Sequence, residues 1–327
     1  MRSLRSLAAL LVTVTALTGC AEQSGGGSGG GAAAADYPAE DIRLIVPYVA
    51  GGPTDIAARA LGAHLEEELG QPVVVENLPG ASGATAYIEL ISSQPDGYTL
   101  SMTALPTAVL NYLSGDVGYT REDFAPIGVA TQVPSGILVR ADSPYQDLES
   151  LFEAARQDPQ AVSVGTPGAT NTHAAETRRI TELYDVPLTV VPFDGNAEVQ
   201  TAMLGGNVTA GFVNLSQDML PAVEAGDLRV LAVGTEERLD YVDAPTMAEL
   251  GYPELVQSTT TFGVIAPAGT PQEVVSRLED AMRSASEDQA VVEALNSRYV
   301  PKEFIGSKEL ADLFAETEET FRDVVGG

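Results

Sequence analysis

Tryptophan is absent from this 327-residue chain, and aromatic side chains make up only 6% of it. That composition leaves little of the flat stacking surface that sugar recognition uses. The one cysteine, Cys20, has no partner within the molecule, so an intramolecular disulfide framework is excluded. His64 and His173 are the only histidines, so a Cys/His zinc centre cannot be assembled and no metal is expected. Lysine occurs only at positions 302 and 308, which leaves the glycine-rich turns upstream without a phosphate-loop or Schiff-base lysine. Basic residues are scarce throughout. Lys and Arg number 17 against 46 Asp and Glu, for a formal charge of −29. A surface so acidic repels nucleic acid and anionic headgroups, and neither is an expected partner of the folded part.

Known catalytic signatures are missing as well. The first strand is not followed by G-x-G-x-x-G, and the chain carries neither G-x-x-x-x-G-K-[ST] nor H-E-x-x-H. Ser82 sits in "GASGA" (80–84), which is not the G-x-S-x-G nucleophile elbow. No catalytic residue and no cofactor are assigned.

What is present begins at the N-terminus. Arg2 and Arg5 precede an apolar run from Leu7 to Leu17, too short to span a bilayer comfortably. "LTGC" (17–20) then has the form of a bacterial lipobox with Cys20 as the acyl acceptor. Residues 1–19 therefore read as a lipoprotein signal peptide, and 20–36, rich in Gly, Ser and Ala, as a flexible tether. An acylated Cys20 would hold the body at the outer side of the cell membrane, since each buried methylene contributes about 0.8 kcal/mol.

From Tyr37 onward strand and helix patterns alternate, which predicts an α/β fold with parallel sheets. "IRLIVPY" (42–48) reads as a buried strand. Residues 54–69 read as a helix with Ile56, Ala60, Leu61, Leu65 and Leu69 on the buried face and Gly70 as its stop. Further strands are expected at 72–77, 96–104, 161–166, 188–193, 209–214 and 228–234, with helices at 82–93, 147–158, 172–184, 196–204, 271–285, 287–296 and 307–325. Two long extended segments, 125–140 and 258–267, bracket a complete α/β unit. That layout suggests one domain inserted into another: 37–134 with 256–327 as domain 1, and 135–255 as domain 2, the crossings forming a hinge. No internal repeat of fixed period is visible.

Three strand-to-helix turns share one chemistry: "YVAGGPTD" (48–55), "GTPGATNTH" (165–173) and "PFDGNAE" (192–198). In open α/β sheets ligands sit beyond the carboxyl ends of strands. Helix N-termini there offer free N–H groups and about half a positive charge. Two or three such turns across a cleft could hold a carboxylate without any Lys or Arg. Each turn also has a plain structural explanation. Gly51 and Gly52 could simply close a tight turn, Asp55 and Asp194 could cap helices, and His173 is as consistent with core packing as with a cleft role. His64, beside Ala60, reads as a partly buried position without function.

Taken together, "IVPYVAGGPTD" (45–55), "LGQPVVVENLPGASG" (69–83), "PDGYTL" (95–100), "VSVGTPGATNTHAAE" (162–176), "VPFDGNAEVQTAMLGGNV" (191–208), "APTMAELGYPE" (244–254) and "FGVIAPAGTP" (262–271) resemble the Bug-type substrate-binding proteins of tripartite tricarboxylate transporters. The likeness runs from about residue 38 to the C-terminus. Tyr48 stands where that family usually has Phe, Pro53 where a small residue is common, and "FDGN" replaces a lysine-glycine turn. The resemblance implies a type II periplasmic-binding-protein fold, two α/β lobes joined by extended hinge strands, closing around a small carboxylic acid. It implies ligand-binding roles for Tyr48, Gly51, Gly52, Thr54, Asp55, Thr103, Thr166, Gly168, Thr170, His173, Gly195 and Asn196. It further implies an extracytoplasmic, lipid-anchored monomer that delivers a mono-, di- or tricarboxylic acid to membrane permease subunits. Two other readings stay open in the residues: a receptor feeding a signalling kinase, and an extracytoplasmic enzyme working with carboxylates.

Overall fold

The computed structural model describes residues 37–255 and 258–325. The leader, Cys20 and the tether read from residues 1–36 lie outside the described residues.

The chain opens with β1 (Ile42–Val46), α1 (Pro53–Leu69), β2 (Val73–Asn77), α2 (Ala84–Ile91), β3 (Thr99–Leu105), α3 (Thr107–Leu113) and β4 (Phe124–Val133). There follow β5 (Ser135–Arg140), α4 (Leu148–Gln157), β6 (Ser163–Thr166), α5 (Thr172–Tyr184), β7 (Thr189–Pro192), α6 (Asn196–Leu204), β8 (Ala210–Asn214), α7 (Leu220–Glu224) and β9 (Leu228–Val233). It closes with β10 (Thr260–Pro267), α8 (Gln272–Glu287), α9 (Gln289–Leu295) and α10 (Ser307–Val325).

These strands form two five-stranded sheets, ordered β2-β1-β3-β10-β4 and β7-β6-β8-β5-β9. In each sheet three strands run parallel, and the fourth position is taken by a strand that enters antiparallel from the other half of the chain. Expected as purely parallel, both sheets are therefore mixed. The extended segment foreseen at 125–140 is two strands in different sheets: Val133 pairs with Thr260, whereas Ser135 pairs with Asn214. Pro134 lies between them, where a residue without an N–H does not interrupt a ladder.

Local chemistry explains most elements. Leu44 on β1 registers with Val75 and Leu100 and is fully buried. Helix α1 ends at Gly70, whose left-handed φ of 71° returns an N–H to Glu66 O. Its buried face is rotated from the expected one. Ala57, Ala58, Leu61, Gly62, Leu65 and Leu69 are buried, while Ile56 and Ala60 are half-exposed. Small residues there let the helix approach β2: a Cβ on Gly62 would stand 3.2 Å from the Val75 side chain. Two helices escaped the sequence pattern. The α3 segment "TAVLNYL" has no continuous polar face to reveal its period, and α7 spans only five residues.

The lobes touch beyond the strand crossings. Thr107 of α3 and Thr172 of α5 bring their hydroxyls to 3.2 Å. Arg179 of α5, paired to the fully buried Glu176, lies 5.5 Å from the ring centroid of Phe321 on α10.

Candidate functional site

Between the two sheets lies a cavity of about 380 Å³, within the size range of small-molecule sites. The β1–α1 turn supplies one wall through Tyr48, Gly51, Gly52 and Thr54, and the start of α6 supplies another through Gly195 and Asn196. His173 completes the expected residues that reach it. A second chamber of about 490 Å³ shares Tyr48, Pro167 and Asp194 with the first and includes Gly168.

Backbone conformation sets up the two helix ends. Gly51 adopts φ +87°, a turn geometry that disfavours a side chain, whereas Gly52 is extended at φ −82° and ψ 173°. Gly52 is the N-cap of α1 and Gly195 the N-cap of α6, and neither end receives a side-chain cap. The first backbone donors satisfied inside the helices are Ile56 N–H, to Gly52 O, and Val199 N–H, to Gly195 O. The N–H groups of Thr54, Asp55, Asn196, Ala197 and Glu198 are therefore left for another acceptor, and each helix end adds roughly half a positive charge. Asp194 does not cap α6 as its position suggested. Its own N–H is taken by the Glu198 carboxylate, and its side chain is exposed at the cavity rim.

Asp55 does not line the cavity. Its carboxylate accepts from Gly51 N–H at 2.9 Å, from Asn77 Nδ2 at 3.0 Å and from Arg59. Burial alone would raise its pKa, but these donors together hold it below the ordinary carboxylate value. Asp55 thus shapes the turn that presents Gly52. Thr103 and Thr166 are fully buried and also away from the cavity. Strand alternation turns Ala104 inward in place of Thr103, and the Thr166 hydroxyl donates to Gly168 O at 2.8 Å. Thr170 crosses between lobes instead, its hydroxyl donating to Asn111 Oδ1 at 3.3 Å and accepting from Ser82 Oγ at 2.9 Å. The α5 end is the one helix start in this group with a side-chain cap, because Asn171 Oδ1 accepts from Ala174 N–H.

Behind the cavity is a buried polar cluster built from both crossing strands. The hydroxyls of Ser135 on β5 and Thr260 on β10 donate to Asn214 Oδ1, at 3.0 and 2.8 Å. Since the Ser135 proton is committed there, its oxygen accepts from His173 Nε2 at 2.9 Å, which fixes a neutral imidazole protonated on Nε2. Burial pushes the His173 pKa down to about 3, against a smaller upward pull from Asn214. His173 also meets Phe212 edge to face, so the ring packs in the core and borders the cavity. His64 instead reaches Ser284 Oγ at 3.2 Å, outside the cavity.

Thr107, Asn171, Asn214, Asp218, Thr260 and Phe262 also line the cavity, and none was singled out from sequence. Asn214 and Thr260 lie on strands with no local motif, so only the approach of β5, β8 and β10 brings them together. The charged residues among the cavity's lining are Asp194 and Asp218, with no Lys or Arg. No helix among the described residues is long and apolar enough to cross a membrane, and no group of acidic, His or Cys residues there has metal-binding geometry.

Comparison with known proteins agrees with this architecture. The model of the tripartite tricarboxylate transporter family receptor matches residues 57–325. A UPF0065 protein in the gbd 5′ region of Cupriavidus necator is 33% identical, over 88% of both chains. Protein BugT of Bordetella pertussis is 35% identical over 79% of this chain and 80% of its own. Among solved structures, MatC from Rhodopseudomonas palustris with bound malate superposes with TM-score 0.80 at 29% identity, covering 88% of this chain and all of its own. A second R. palustris protein, with adipate, gives 0.79 at 29% identity, covering 88% and 97%.

Proposed function

The chain belongs to the tripartite tricarboxylate transporter receptor family, and from that premise we propose that it captures a small carboxylic acid between its lobes and delivers it to the membrane subunits of such a transporter. One observation carries the reading: the uncapped starts of α1 and α6 line a single cavity that holds no cationic side chain. A carboxylate buried without partners would cost many kcal/mol. Orphan helix N–H groups supply those partners, each charge-assisted hydrogen bond contributing about 1.5–3 kcal/mol. The malate and adipate of the two R. palustris structures support the ligand class.

In this reading Tyr48, Gly51, Gly52, Thr54, His173, Gly195 and Asn196 surround the ligand. Gly168 borders its approach, and Asp55, Thr103, Thr166 and Thr170 act through the turns and the lobe contact. The lobes, 37–134 with 256–327 and 135–255, close about the strand crossings. Cys20 carries the lipid that keeps the receptor on the outer side of the cell membrane, and the receptor works as a monomer. The reading requires no chemical step.

Thermal unfolding of the purified chain against a panel of mono-, di- and tricarboxylates tests it. A true ligand at a hundred times its Kd adds about 2.7 kcal/mol to stability. Stabilisation by uncharged amides or sugars, with every acid inert, would overturn the proposal.

A further inference from the structure

Tyr48 stands at the border of two chambers, lining both the cavity and the second chamber beyond it. Burial holds its phenol well above the ordinary pKa, so the hydroxyl keeps its proton. That hydroxyl reaches Ser82 O at 3.5 Å, and Tyr87 and Thr107 are its other polar neighbours. Thr107 pulls the phenol pKa down, which is the effect of a hydroxyl donating to the phenol oxygen.

Two of these neighbours also carry contacts to the other lobe. Thr107 Oγ1 faces Thr172 Oγ1 at 3.2 Å and accepts from Thr172 N–H at 3.4 Å, a donor in the first turn of α5 that has no partner within the helix. Ser82 Oγ donates to Thr170 Oγ1 at 2.9 Å, and Asn111 Nδ2 holds the Ser82 carbonyl at 3.0 Å. The backbone that presents Ser82 is strained. Four residues in succession have positive φ: Gly80 at 147°, Ala81 at 46°, Ser82 at 52° and Gly83 at 96°. Ala81 and Ser82 carry side chains, for which this region is unfavourable. Such strain persists only where the surroundings over-determine it. A Cβ on Gly83 would stand 3.2 Å from Pro47 Cβ and 3.5 Å from the Tyr48 hydroxyl, so the turn lies packed against Tyr48 itself.

Two contacts between the lobes thus run back to one hydroxyl on the cavity wall. Resting on the reading of this cavity as the ligand site, we propose that Tyr48 is the positioning residue that ties the cavity wall to lobe closure. Its ring meets the ligand, and its hydroxyl fixes Ser82 for Thr170 and Thr107 for Thr172. A ligand that seats the ring seats both partners of the closing contacts with it, and an empty cavity loosens the two together.

Tyr48→Phe tests this, because it keeps the ring and removes only the hydroxyl. Amide hydrogen exchange in the purified chain without ligand reads the tie directly. Exchange at Thr172 N–H should accelerate about fivefold, the effect of one neutral hydrogen bond, while Val164 N–H within β6 keeps its rate. Equal acceleration at Val164 would make the hydroxyl merely structural and overturn the inference, as would an unchanged rate at Thr172. Stopped flow with malate and adipate as probes adds the binding side. Tyr48→Phe should release a bound probe about fivefold faster at an unchanged association rate. Combined with Thr170→Val, it should speed release by less than the product of the two single effects, since both act on one contact. Effects that multiply fully overturn the inference. The exchange result stands whether or not either acid binds, so a failure of the carboxylate reading is told apart from a failure of the tie.

Discussion

Replacing Gly52 with Val separates the fold from the site. The extended backbone at Gly52, φ −82° and ψ 173°, is one that a β-branched residue adopts readily. A Cβ there meets only Val49 O, at 3.8 Å, an ordinary van der Waals contact. The cost to folding is the weaker N-cap preference of Val, about 1 kcal/mol. Binding should suffer far more, because the new methyls stand on a cavity-lining residue two positions before the free N–H group of Thr54. Losing even that one charge-assisted hydrogen bond, at about 1.5–3 kcal/mol, weakens affinity by roughly 10- to 150-fold. Gly51→Ala should show the opposite balance. At φ +87° a side chain costs about 1–2 kcal/mol of stability although its Cβ meets nothing within 4 Å. Calorimetric titration with whichever acid stabilises wild type best, paired with thermal melts, reads both quantities. A Gly52→Val protein that binds within threefold of wild type refutes the assignment of the α1 end as the carboxylate site.

Two further outcomes follow from the buried groups. His173, with its folded pKa near 3 against an unfolded value near 6.5, takes up its proton only on unfolding between those limits, so its contribution is full above pH 6.5 and shrinks as pH falls toward 3. His173→Gln should flatten this acid limb in urea denaturation at pH 7, 5.5 and 4.5, and an unchanged slope would contradict the buried neutral imidazole. Thr170→Val removes the hydrogen bonds to Ser82 and Asn111 across the lobes, at about 1 kcal/mol each. Ligand release in stopped flow should accelerate about five- to thirtyfold if closure uses that contact, and an unchanged rate would show that it does not.

The apolar runs of β1, β6 and β8 and the glycines beside them were legible because each is a local statement. A mostly apolar segment bounded by turn residues marks a buried strand, and Gly-Gly-Pro ahead of a periodic run marks a helix start. Seven of the twelve residues named from sequence and resemblance line the cavity, namely Tyr48, Gly51, Gly52, Thr54, His173, Gly195 and Asn196. Asp55, Thr103, Thr166 and Thr170 were equally visible as polar residues near those turns. Which way each side chain points depends on strand pleat and on neighbours far along the chain.

Composition and local pattern alone thus determined the alternating α/β body, the anion-suited helix starts and the absence of a phosphate-loop lysine. Tertiary structure decided what those turns surround. Sequence spacing cannot report that β5 and β10 change sheets, because crossing strands carry the same apolar signal as strands that stay. Only that exchange gives the two sheets the same plan and places Ser135, Asn214 and Thr260 behind His173. It also sets Asp218, 163 positions beyond Asp55 in the chain, on the wall of the cavity that the α1 turn opens into. A cavity's charge is the sum over residues that meet in space, so it is settled only when the lobes face each other.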